Sequence, residues 1–324
     1  ISMIEKKSRE YEIEDVFRTY GVLTREAGFY FYFSRKIREL RECGHEGTAR
    51  AYASSLRSMQ RYLGKKDFPF IKLSSRIISD YQGKLLASGI CDNTIGFYLH
   101  NIKALFRKGC REMGLELPCP FRDISIKTEK TLKRSLDPVV IKTLSAIELE
   151  KDSPLSLARD IFMFSFYTRG MSFVDIALLK KRHVFPGEIC YRRHKTDQLM
   201  RVGINKEISR ILERYKNVPG EYIFPLFPAE RDPYAGYRSA YHRIRYSLGK
   251  ISRVIGLEFP LRLHAARHSW ATIAKVNGAS VHVIGECLGH TSEKTTRIYL
   301  KELDHSALDA VNNQVADFIL AVDD

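Results

Sequence analysis

The sequence predicts a mainly α-helical chain with one small β-sheet, divided into an N-terminal helical bundle and a second domain of mixed α and β structure. Three observations carry this. Apolar residues recur at three- and four-residue spacing over most of the chain. The period shortens only between residues 183 and 204, where turn residues separate short β-rich runs. Pro118, Pro120 and a polar basic run then break the pattern near residue 120, and a chain of 324 residues has room for about two domains.

Residues 1–24 are charged and weakly patterned and read as an N-terminal extension. Over residues 25–43, Phe29, Phe33, Ile37 and Leu40 make one helical stripe, and Gly44 suits the helix end. A second helix is expected over residues 48–63, with Ala49, Tyr52, Leu56, Met59 and Leu63 on its apolar face. Arg50, Arg57 and Arg61 lie off that face, as a solvated surface or a nucleic-acid contact. Ser74 or Ser75 can cap a third helix that ends before Gly89. A fourth starts at Asp92 or Asn93, runs through Ile95, Leu99, Ile102, Leu105 and Phe106, and ends at Gly114. Lys103, Arg107, Lys108 and Arg111 make it strongly basic. Residues 25–120 therefore form a bundle of four or five helices with a basic flank. Residues 121–136 read as a basic linker, whose Lys127 and Lys130 suit contact with phosphate.

The second domain covers residues 137–324. Asp137 can cap a helix that has Pro138 in its first turn. Helices are expected over 138–147 and 154–168. The second is apolar nearly all round and should be buried. It runs into Arg169, and a charged side chain there needs an anionic partner. A short helix over 173–179 precedes strands at 183–185, 189–193 and 199–204. Lys195 sits at the tip between the last two strands. Then come a helix over 207–216, a proline-rich loop, and a helix over 235–255 that keeps Arg238, Arg243, Arg245 and Lys250 off its apolar stripe. Helices over 264–277, 281–288 and 294–300 follow, and an amphipathic helix over 305–321 ends the chain.

Composition narrows the function. With 44% hydrophobic and 28% charged residues the chain can bury a core. A net charge of +15, positive in both halves, favours a polyanion: nucleic acid first, an anionic membrane surface second. The six cysteines show no CxxC spacing and no histidine pair completes a zinc site, so no metal is expected. They read as small buried apolar residues in a reducing compartment. The N-terminus has no apolar leader pattern, and every apolar run falls short of the roughly 20 residues that span a bilayer. A soluble intracellular protein is expected.

The chemistry-bearing residues cluster late. His264-Ala265-Ala266-Arg267 is followed by Leu288-Gly289-His290, and Tyr299 comes nine residues after His290. Tyr299 alone, one of 17 tyrosines, signifies little. Taken in order with Arg169 and Lys195, the set resembles the tyrosine recombinases, the phage integrase family. The resemblance covers essentially the whole chain: the bundle looks like that family's core-binding domain and the remainder like its catalytic domain. It implies that Arg169 and Arg267 are the catalytic arginines, Lys195 the hairpin lysine, His264 and His290 the histidines, and Tyr299 the nucleophile.

Those residue types suit the implied chemistry. Phosphodiester transesterification builds negative charge on non-bridging oxygens, which a planar guanidinium can meet with two parallel donors. Tyrosine, with an ordinary pKa near 10, needs a base or a strongly positive site. His264 and His290 can share hydrogen bonds or move that proton, and the resemblance makes Lys195 the acid for the leaving 5′-oxygen. The implied function is a site-specific DNA recombinase of integrase, invertase or resolvase type, working through a covalent 3′-phosphotyrosine without metal, ATP or other cofactor. The implied partners are double-stranded DNA recombination sites, a tetramer on two sites joined through the 305–321 helix, and accessory DNA-bending proteins. The implied setting is the nucleoid-associated cytoplasm of a bacterium, phage or mobile element. Type IB topoisomerase-like relaxation and a catalytically silent DNA-binding regulator are the alternatives. Arg50, Arg57, Arg61, Lys103, Arg107, Lys127, Lys130 and Arg243 are the candidate DNA contacts. Two features depart from the family pattern. The nearest acid after Arg169 is Asp175, six residues on instead of three, as if about one helical turn were inserted. Only residues 1–24 precede the first helix, which implies a simple type without an arm-binding domain.

Overall fold

The computed structural model of the protein describes residues 28–127, 129, 134–227, 233–290, 292–300 and 315. The N-terminal extension, Lys130 and, apart from Val315, the expected 305–321 helix lie outside the described residues. The chain divides into two compact units, Ile1–Thr131 and Leu132–Asp324. The mainly helical class with one small sheet is borne out.

In the first unit, α1 (Phe29–Glu42), α2 (Glu46–Leu63), α3 (Ser75–Ala87) and α4 (Asp92–Glu112) pack around Phe29, Phe33, Met59, Tyr81, Leu99 and Ile102. Gly28 offers α1 no side-chain cap. Asp67 supplies one from across the fold, accepting the N–H groups of Tyr30 at 2.8 Å and Phe31 at 2.9 Å. Ser74 caps α3 by accepting from Ile77 N–H. Gly109, inside α4, makes room for the Phe70 ring, which a Cβ there would meet at 2.5 Å. Residues 121–127, expected as part of the linker, run along the bundle. Phe121 is buried, Ile124 and Ile126 pack on the same core, and Asn93 exchanges hydrogen bonds with the backbone of Glu129. The apolar side chains within this stretch draw it back onto the unit.

The second unit is built on α6 (Pro154–Tyr167), which contacts α5 (Pro138–Ala146), α8 (Lys206–Arg214), α9 (Pro233–Val254) and α10 (Leu263–Val276). Its all-round apolar sequence matches that position. Its one buried charge, Asp160, is satisfied by Arg159 at 2.6 Å, Arg214 at 2.8 Å and the Tyr215 hydroxyl at 2.9 Å. After α7 (Phe173–Ala177), strands β1 (Val184–Phe185), β2 (Glu188–Arg192) and β3 (Leu199–Gly203) form an antiparallel sheet in sequence order, with Cys190 opposite Arg201. A smaller apolar cluster of Ala271, Ile284, Leu288 and Leu300 joins α10 to α11 (Val281–Cys287) and α12 (Glu293–Leu300). Helix and strand limits fall within a few residues of those read from the sequence.

The cysteines correct one expectation. None is buried. Cys43 and Cys91 are exposed because they occupy the ends of α1 and α4, and the other four are half-buried; all six are free. Among the described residues no helix is long and apolar enough to cross a membrane.

Candidate active site

The site begins where α6 stops. Thr168 closes that helix, Arg169 takes a left-handed φ of 59°, and Gly170 N–H returns to Ser165 C=O at 2.7 Å. This is the glycine-favouring turn at a helix C-terminus, with arginine in the glycine position. A left-handed arginine costs about 1–2 kcal/mol. Gly170 is also left-handed, and a Cβ there would lie 2.5 Å from Arg267 Cγ. The turn therefore lies directly on α10. Arg169 reaches towards Arg201 C=O on β3, at 3.4 Å.

Arg267 is the hub. It is 6% exposed. Its guanidinium donates to Gly170 C=O at 2.9 Å, to Leu288 C=O, and to His290 Nε2 at 3.0 Å. One side chain thus joins the Arg169 turn to the Leu288-Gly289-His290 turn, although 97 residues separate Arg267 from Gly170. For Arg169, where an anionic partner was expected, the contact within the protein is the Arg201 carbonyl oxygen.

Arginine only donates, so His290 Nε2 accepts and the ring proton resides on Nδ1. That Nδ1–H faces Thr296 Oγ1 at 2.9 Å. Burial first, then the charges of Arg267, Arg193 and Lys195, lowers the His290 pKa to about 4. His290 is neutral at pH 7. His264 lies in the first turn of α10, 4.6 Å from the His268 ring. It keeps an exposed face, yet desolvation by the surrounding protein and then Arg267 also lower its pKa.

Two anchors hold the β2–β3 turn that carries Lys195. Asp175, buried in the first turn of α7, accepts from His194 N–H at 2.7 Å and from the Ser172 hydroxyl at 2.6 Å. The six-residue spacing from Arg169 thus consists of a turn at residues 170–172 and the start of α7. On the other side, Arg193 donates to Gly289 C=O. Gly289 is left-handed, and a Cβ there would meet Met200 Sδ at 2.9 Å, which explains glycine in that turn. Lys195 itself is exposed at the tip. The backbone of Tyr299 lies in α12; its side chain lies outside what is described.

Arg169, Arg267 and His290 are thus brought together, with Lys195 near enough for its charge to act on His290. Trp270 packs on the small apolar cluster, and Arg297 is exposed. Of the candidate DNA contacts, Arg57, Arg61, Arg107 and Lys127 are exposed, and Lys103 is half-buried on α4. Arg50 is paired with Glu46 at 2.7 Å. Arg243 is partly committed to structure, donating to Leu226 C=O at 2.7 Å. The sequence reading missed Arg193 and Thr296. It also missed a groove of about 630 Å³ between α9 and residues 257–262, lined by Arg245, Lys250, Arg253 and Arg262, with Lys250 set over the Tyr246 ring at 4.8 Å. Spacing of Arg245, Lys250 and Arg253 along one face of α9 was the available signal. Among the described residues no group of three or more His, Cys, Asp or Glu is placed to hold a metal.

Comparison with known proteins adds to this geometry. Residues 135–305, more than half the chain, match the phage integrase family, and residues 28–121 match the phage integrase SAM-like domain. The chain is 26% identical to tyrosine recombinase XerC of Shewanella oneidensis over 226 residues, which cover 67% of this chain and 70% of the relative. It is 24% identical to tyrosine recombinase XerD of Pseudomonas putida over 262 residues, covering 78% and 86%. In fold it resembles a lambda integrase dimer bound to a core site, with TM-score 0.63, 17% identity, and 86% of this chain and 98% of that one covered. A lambda integrase tetramer bound to a Holliday junction gives TM-score 0.60 at 16% identity, covering 86% and 79%.

Proposed function

The chain belongs to the phage integrase family, and from that premise we propose that it is a site-specific DNA recombinase that cleaves and rejoins strands through Tyr299. The observation that carries this reading is the Arg267 guanidinium, which draws Gly170, Leu288 and His290 to one point beside Arg169. Arg169 and Arg267 stabilise the charge that develops on the non-bridging oxygens of the scissile phosphate. The Tyr299 oxygen attacks phosphorus and its proton passes to a base. His290 Nε2 already accepts from Arg267, so the neutral imidazole of His264 is assigned that proton. The bond to the 5′-oxygen breaks, and Lys195 protonates the leaving oxygen. Attack by a 5′-hydroxyl on the 3′-phosphotyrosine reverses each transfer and rejoins a strand. The energy of the phosphodiester is kept in the enzyme–DNA bond, so the cycle needs no ATP, and the arginines supply the positive charge that a metal ion supplies in other phosphoryl transfers.

Double-stranded recombination sites are the proposed substrate. Assembly is proposed as a tetramer on two sites through residues 305–321, as lambda integrase is seen in a tetramer on a Holliday junction. Arg57, Arg61 and Arg107 of the first unit, and the Arg245–Arg262 groove of the second, are the proposed phosphate contacts. The nucleoid-associated cytoplasm of a bacterium is the proposed setting. No feature of the site favours the relaxation-only or catalytically silent alternatives.

The test uses duplexes nicked beside a randomised segment, with EDTA present and ATP absent. Wild type is expected to give a covalent adduct that survives denaturing electrophoresis, and Tyr299→Phe none. An adduct that persists in Tyr299→Phe rejects the nucleophile.

A further inference from the structure

We infer that Thr296 is a positioning residue for strand cleavage: by accepting the Nδ1–H of His290 it holds that imidazole in its orientation and ties it to the helix that carries Tyr299. The inference rests on the reading of His290 and Tyr299 given above.

Three observations carry it. The hydrogen-bond chain runs one way. Arg267 donates to His290 Nε2 at 3.0 Å, which places the ring proton on Nδ1, and Thr296 Oγ1 lies 2.9 Å from Nδ1. Thr296 is fully buried and stands one turn before Tyr299 on α12. Leu300, 4% exposed and one residue after Tyr299, belongs to the apolar cluster with Ile284 and Leu288. The nucleophile position is therefore bracketed by one polar and one apolar anchor. The third observation is a fitted space. A Cβ on Gly285 of α11 would lie 2.8 Å from Thr296 Oγ1, so glycine in mid-helix is what admits the hydroxyl.

The chain of contacts makes two events into one. When α12 is seated, His290 is held with its Nε2 on Arg267. When α12 shifts to present or withdraw Tyr299, the Nδ1 partner goes with it, and the imidazole loses the contact that orients it. Valine has the same shape as threonine without the acceptor, so Thr296→Val isolates the hydroxyl from the packing, whereas Thr296→Ser keeps the hydroxyl and removes a methyl.

The experiment reads the tautomer directly, in the full chain with ¹⁵N-labelled histidine. The His290 ring signals are assigned by their loss in His290→Gln. Wild type is expected to show protonated Nδ1 and unprotonated Nε2. Thr296→Val is expected to leave Nε2 as the acceptor of Arg267, to move the signal of the now unpartnered Nδ1–H and speed its exchange with solvent, and to slow single-turnover cleavage of a captured duplex about tenfold, the scale of one buried hydrogen bond. Thr296→Ser is expected to restore both the signal and the rate. Gly285→Ala, which crowds the hydroxyl without altering Thr296, is expected to resemble Thr296→Val. A wild-type His290 spectrum in Thr296→Val or in Gly285→Ala overturns the inference, as does equal loss of cleavage in the Ser and Val variants. Tyr299→Phe separates this from the underlying reading. It leaves the His290 spectrum unchanged, so a surviving adduct in that variant condemns the nucleophile while the tautomer result stands.

Discussion

Arg267 joins Gly170, Leu288 and His290 with one guanidinium, and the proposed chemistry is built on the same group. From the motif alone, Arg267→Ala is expected to keep DNA binding and lose cleavage. The structure adds a cost in stability, because the carbonyls of Gly170 and Leu288 lose their donor. Buried acceptors without partners cost about 1–3 kcal/mol each, so urea denaturation of the second unit in Arg267→Ala is expected at clearly lower concentration than in wild type. Unchanged stability would show that those contacts contribute nothing. His290 gives the acid response. Its folded pKa of about 4 lies below the ordinary value of 6.5. Between those two values the unfolded chain holds the proton that the folded chain refuses, so stability rises with pH across that window and is lost on acidification. Wild type should therefore lose more stability than His290→Gln between pH 7 and pH 4.5, as read by urea midpoints. The proposed catalytic residues could be picked out from sequence because Arg169, Lys195, His264, Arg267, His290 and Tyr299 stand in a set order, although tyrosine, lysine and arginine are common types here. The contacts of Arg267 to the backbone carbonyls of Gly170 and Leu288 have no sequence signature.

At the scale of the element, the β2–β3 hairpin is held from two sides, by Asp175 at His194 N–H and by Arg193 at Gly289 C=O. A hairpin tip left to itself is the most mobile part of a sheet, and Lys195 sits there. Asp175→Ala is expected to lower single-turnover cleavage about tenfold and to speed amide exchange at residues 193–198, whereas Asp175→Asn, which keeps an acceptor in place, recovers most of both. Equal rates of exchange in Asp175→Ala and wild type would remove the anchor from the account. The hairpin was legible as strand, turn, strand because its period and turn residues are local. Asp175 stood out as the acid after Arg169, but its partner and the Arg193 anchor did not, since the contacts pair residues 19 and 96 positions apart. Two helix starts were legible for the same local reason: Ser74 and Asp137 accept free N–H groups in the first turns of α3 and α5. The α1 cap was hidden, because Asp67 reaches it from outside the helix.

At the scale of the whole molecule, the positive charge is spread over both units, and Arg57, Arg61 and Arg107, proposed as phosphate contacts, are exposed. Binding that releases condensed counterions falls linearly in log–log plots against salt, with a slope near −0.9 per contacted phosphate. The slope for any captured duplex is expected to be steep. Arg253→Ala and Arg262→Ala, at the groove beside α9, are each expected to make it shallower by about one; no change in either would exclude that groove from the DNA contact. Periodicity was enough to divide the chain into bundle and second domain, but not to place residues 121–127, read as part of a linker, against the bundle. Their charge outweighed three spaced apolar side chains, Phe121, Ile124 and Ile126, that the bundle core takes up.

The central claim is that Tyr299 attacks the phosphate that the Arg169 and Arg267 turns receive. The most direct measurement is to trap the protein–DNA adduct, digest both partners, and determine by mass spectrometry which residue carries the nucleotide and through which end of the strand. The account predicts a 3′-phosphate ester on Tyr299. A nucleotide on another residue, or a 5′-phosphate linkage, contradicts it.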